Sequence, residues 1–210
     1  MRGRVKVVTA GLLLAGGVGV WAGGFPVRAG VGLVPKEFRI RPVEGLDAVR
    51  GYAEEYIAAL GLEGVRVHRV ARSGDRYFAY VREVDTGRGA FALEISADGR
   101  LGPKRFPGMD PEMMWNQKYG HRARRDPDLV RERLGPEDAL SRVRRAVPPD
   151  EGLRPGGWEW YYGYVLAFLF DEAGRWAGEA AVNTVNGEVV WARFPGGPPE
   201  ARPPVAPVEP

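Results

Sequence analysis

The chain has 210 residues, 44% of them hydrophobic and 10% aromatic, which is enough to build a core, and its formal charge is +3. Arg2, Arg4 and Lys6 account for that charge; without them basic and acidic side chains balance at 27 each, which argues against nucleic acid or an anionic membrane surface as partner. There is no Cys, so disulfides, thiolate metal sites and Cys nucleophiles are excluded.

Arg2, Arg4 and Lys6 precede an uncharged run from Val7 to Val27, the pattern of an export signal. Ala22 and Gly24 place small residues where a signal peptidase cuts, while the run is also long enough to span a bilayer. Residues 1–30 are therefore read as a signal peptide or an N-terminal membrane anchor. Both readings export the rest of the chain.

Leu46, Val49, Ala53, Tyr56, Ile57 and Leu60 recur at helical spacing, and Gly61 follows as a stop. Three β-rich runs come next, 65–71, 76–84 and 90–96, separated by SGD and DTGRG and closed by ADGRL. Residues 103–135 read as a connector. It holds GMDPEMMWNQKYGH (108–121) and a short helix that Asp126 caps, Pro127 opens and Gly135 ends.

The same order then recurs. Ala139, Leu140, Val143 and Val147 form one helical face in PEDALSRVRRAV (136–147), followed by β-rich runs at 158–170, 177–185 and 187–194. The two helix starts lie about 90 residues apart, which points to an internal duplication over 38–102 and 136–195. Residues 196–210 belong to a Pro-rich stretch with almost nothing apolar to bury, and read as a disordered tail. The expected fold is α+β: two small repeats, each a helix packed on an antiparallel sheet of about three to four strands.

PEDALSRVRRAV and AAVNTVNGEVVWARF resemble the PepSY domain family, an Ala-rich helix followed by a closing hairpin of the form V-D-x-x-T-G-E-V. Asn183 stands for the Asp of that pattern and Asn186 for its Thr. GLDAVRGYAEEYIAAL with LEISADGRL resembles a more diverged copy. The resemblance implies small exported or membrane-tethered modules without catalytic residues, some of which occur in propeptides of thermolysin-like metallopeptidases and restrain the protease. No HExxH motif follows here.

The Met-rich stretch supports three readings. Met109, Met113, Met114 and His121 supply thioether and imidazole groups that suit copper or haem iron. Trp115, Asn116, Lys118 and Tyr119 combine amphipathic rings with an amide and an ammonium, a set that anchors a partner. The third reading is a buried connector whose Met and Trp fill a gap between sheets. In WEWYYGYVLAFLF, unbroken alternation places Trp158, Trp160, Tyr162 and Tyr164 on one face, opposite Glu159, Tyr161 and Val165. His68 stands between Arg66 and Arg69 with no obvious acid partner.

These observations lead to an exported, non-enzymatic binding or regulatory module at the cell envelope, secreted, periplasmic or anchored to the outer face of the cytoplasmic membrane. It needs no cofactor, and its partner is a protein or peptide, a peptidase among the candidates. The competing readings are an extracytoplasmic copper or haem binder using Met109 to His121, and a structural envelope spacer.

Overall fold

The computed structural model describes residues 34–36, 38–120, 131–194, 197 and 199. The export segment, His121, positions 121–130 of the connector and nearly all of the Pro-rich tail lie outside the described residues. No helix among the described residues is long and apolar enough to cross a membrane.

The first helix, α1 (Leu46–Ala59), buries Val49, Tyr52, Ala53, Tyr56 and Ile57 along the stripe its spacing defines. It is followed by β1 (Val65–Ser73), β2 (Arg76–Glu83), β3 (Gly89–Ser96) and the three-residue β4 (Leu101–Pro103). Next comes α2 (Pro111–Met114), a single turn capped by Asp110, whose carboxylate accepts from the Met113 N–H at 3.1 Å. Then α3 (Pro136–Ala146) opens with Pro136, Glu137 and Asp138 and closes with Arg144 and Arg145, the charge order that its dipole favours. The last strands are β5 (Arg154–Tyr161), β6 (Tyr164–Phe170), β7 (Trp176–Asn183) and β8 (Val189–Arg193).

The fold is α+β, and among the described residues eight strands form one mostly antiparallel sheet of order β1-β2-β3-β5-β6-β7-β8, with β4 on β3. The strands thus belong to one hydrogen-bonded path rather than to two separate sheets. The joint is slight: β3 and β5 meet in parallel at the single pair Gly89 and Tyr161. Only glycine fits there, since a Cβ on Gly89 would lie 2.7 Å from the Tyr161 ring.

The run 158–170 is not one strand: Gly163, at φ 96°, makes a tight hairpin between β5 and β6. The hairpin breaks the alternation, so Trp158 and Trp160 pack on the α3 side while Tyr164 joins Tyr161 on the opposite face. Residues 131–134, expected in a short helix, are irregular.

Alternation along the strands sorts the core into three layers. Tyr77, Ala79, Val81, Phe91, Leu93 and Ile95 pack beneath α1. Val165, Ala167, Leu169, Ala180 and Val182 pack beneath α3. The remaining strand faces meet each other: Tyr80 of β2 lies 6.3 Å from Phe168 and 5.9 Å from Trp176, and Phe78 lies 5.6 Å from Phe194, ring centre to ring centre. The sheet therefore doubles over, with one helix on the outside of each half.

Candidate ligand-binding cleft

The layer where the two halves meet carries charge. Glu179 of β7 is 2% exposed and accepts the Tyr80 O–H at 2.6 Å, and its other oxygen pairs with the Lys104 ammonium just past β4. That ammonium sits 4.6 Å from the Phe106 ring centre and 5.4 Å from that of Phe78. Burial pulls it down to about 7, against the opposing pull of Glu112, Glu94 and Glu159.

A second buried carboxylate, Glu159 of β5, meets the His68 Nε2 at 3.1 Å and the Arg69 guanidinium at 3.0 Å, and accepts the Tyr161 O–H at 2.9 Å. Burial works to raise this carboxyl, yet His68, Arg69 and Tyr161 together outweigh it and hold it at about 2. The absence of an acid partner for His68 is therefore corrected: β5 supplies one from far along the chain. Arg69 also stacks 4.5 Å from the Phe168 ring centre.

The third, Glu112 of α2, accepts the Ala92 N–H at 2.8 Å and the Tyr164 O–H. Among the described residues no cation pairs with it, and burial pushes it up to about 8. These contacts pin α2 to both halves.

The charged layer opens to solvent at one side, between β4 and the end of β8. The opening is a cleft of about 840 Å³ floored by Phe78, Phe106, Phe194 and the Lys104–Glu179 pair. Arg76, Arg100, Arg105 and Arg193 stand on its rim. Its lining combines three Phe rings with eight charged side chains.

The residues singled out in the Met-rich stretch lie elsewhere. Trp115, Asn116 and Tyr119 are buried. Asn116 donates to the Ala90 carbonyl at 2.7 Å and accepts from the N–H groups of Lys118 and Tyr119. The Lys118 ammonium, partly exposed, donates to Glu83 at 2.6 Å, and Glu83 also accepts from Tyr119 and Tyr162. Their contacts bind the connector to both halves: Trp115 belongs to the middle layer and Tyr119 to the layer under α1. They present no aromatic surface to a partner. Met109 and Met113 are half-buried while Met114 is 48% exposed, and His121 lies outside the described residues. Among the described residues no group of three or more His, Asp or Glu is placed to hold a metal.

The cleft residues escaped the sequence reading because their partners are distant in the chain. A local signal does exist: Glu179 is the one acid in WAGEAAV, and Glu159 stands alone between two Trp. A charge inside an apolar run is either buried with a partner or misassigned.

No protein-family model, no curated protein and no solved structure matches this chain.

Proposed function

We propose that the chain is an exported, non-catalytic binding module of PepSY type, built from two diverged copies of one unit, which holds a protein or peptide partner at the cell envelope. The observation that carries this reading is the cleft between β4 and β8, where three Phe rings and the Lys104–Glu179 pair are rimmed by Arg76, Arg100, Arg105 and Arg193. Duplication is supported by the shared order of a helix followed by four strands in each half, with each helix on the outer face. The turn at 83–88 and the turn at 183–188 also share backbone hydrogen bonding, with Gly87 N–H to Glu83 and Gly187 N–H to Asn183. Export rests on Arg2, Arg4 and Lys6 before their uncharged run.

Site-specific photo-crosslinking in the producing cell tests the reading. A benzophenone side chain at Arg105, on the cleft rim, is expected to give a discrete adduct in the envelope fraction. The same group at Val84, exposed and away from the cleft, is expected to give none. Equal labelling at both positions, or a chain confined to the cytoplasm, would overturn it.

A further inference from the structure

The chemistry of the cleft narrows what it holds, given the binding role proposed above. Its lining carries five cations, Arg76, Arg100, Lys104, Arg105 and Arg193, against three acids, Asp75, Glu94 and Glu179. Lys104 and Glu179 are consumed by each other inside the floor. The rim arginines are differently placed: the side chains of Arg100 and Arg105 are 82% and 74% exposed, and their nearest acids are Asp98 at 3.0 Å and Asp110 at 3.7 Å. Exposed pairs of this kind are worth at most about 1 kcal/mol, so a ligand carboxylate that fits better recruits these guanidinium groups at little cost.

Backbone geometry supplies the second argument. One rim of the cleft follows β4 and the other the end of β8, where Ala192 and Arg193 line it. Among the described residues β8 pairs with β7 alone and β4 with β3 alone, so each leaves a row of main-chain donors and acceptors with no described strand beside it. The two edges are not equivalent. β4 spans three residues and ends in Pro103, which has no N–H to offer, whereas β8 runs for five residues without proline. An incoming strand therefore pairs on β8, and the β4 side supplies the charge.

We propose that the cleft takes an extended acidic peptide segment, which pairs along the free edge of β8 and sets its carboxylates against Arg100 and Arg105. Strand addition supplies affinity through main-chain hydrogen bonds, and the arginine rim selects the sequence. A segment with alternating acidic and apolar residues satisfies both surfaces, because its apolar side chains then turn toward Phe106 and Phe194 on the floor.

The test uses the full chain and three fluorescein-labelled octapeptides, in which Glu, Gln or Lys alternates with Val, read by anisotropy. The Glu peptide is expected to bind at 50 mM salt and to weaken at least tenfold at 300 mM. It is expected to lose about tenfold in the R100Q/R105Q variant, whose exposed substitutions leave the fold intact, as tryptophan fluorescence checks. A proline in the middle of the Glu peptide, removing a pairing N–H, is expected to weaken it further. If the Gln or Lys peptide binds as tightly as the Glu peptide, the acidic preference is overturned while the binding role stands. If no peptide binds, the acidic-peptide proposal is overturned, and the crosslinking at Arg105 decides the binding role. If the Glu peptide binds only after removal of residues 195–210, or only to a chain freed from self-association, the natural occupant is the tail or a second copy and the proposal is overturned.

Discussion

Replacing Glu159 by Gln keeps the shape of the side chain and removes its charge, which leaves Arg69, and Arg82 at 3.8 Å, facing a neutral amide inside the middle layer. The size of the effect follows from the carboxyl itself. Its pKa stands at about 2 in the folded chain against an ordinary 4.5, and each pKa unit is worth about 1.4 kcal/mol, so the folded environment favours the charged form by about 3 kcal/mol. That agrees with the 3–5 kcal/mol typical of breaking a buried ion pair by removing one partner. In a fold of this size it corresponds to a fall in Tm of roughly 6–12 °C. The sign with pH is fixed as well. A carboxyl depressed on folding contributes fully above about pH 4.5 and loses its contribution as pH falls toward 2. Urea titrations followed by tryptophan fluorescence at pH 7, 5, 4 and 3 should therefore show a gap between native chain and E159Q that is widest at pH 7 and narrows below pH 4.5. A gap under 1 kcal/mol at pH 7, or one that stays constant down to pH 3, would refute the reasoning. The double variant with R69M should recover part of the loss, because it removes the stranded cation too.

Glu112 has the opposite sign. Its carboxyl is raised to about 8, so its contribution is full below about pH 4.5 and is lost as pH climbs to 8. E112Q should accordingly gain on the native chain in urea titrations as pH rises from 5 to 8, and a constant difference would show that the group does not titrate in the fold. Trp115→Ala should destabilise by about 3–5 kcal/mol, since the indole is 4% exposed and fills the middle layer. A stable W115A with a weakened partner would return Trp115 to the binding surface.

The helices were legible because their stripes are local: Val49, Ala53, Tyr56 and Ile57 face the core as their spacing requires, as do Ala139, Leu140 and Val143. Most strands were legible through their turn residues. The β5–β6 hairpin was not, because Tyr162-Gly163 sits inside a long aromatic and apolar run whose hydrophobicity masks a two-residue turn. The cleft was opaque for a different reason. Lys104 and Glu179 are 75 positions apart, and nothing near either one announces the other. Trp115, Asn116 and Tyr119 illustrate the converse, since residue types that suit an interface also suit a buried strap. Only the contacts of Asn116 with Ala90 and of Tyr119 with Glu83 distinguish the two roles.

The opening between β4 and β8 is the proposed binding site. Backbone amide NMR of the labelled chain, titrated with the alternating Glu and Val octapeptide, tests it most directly. Shift changes are expected to concentrate in Val189–Arg193 and at Arg100, Lys104, Arg105 and Phe106, with the N–H groups along β8 becoming protected from exchange. Changes centred instead on Trp158 and Trp160, or spread evenly over the surface, would contradict it.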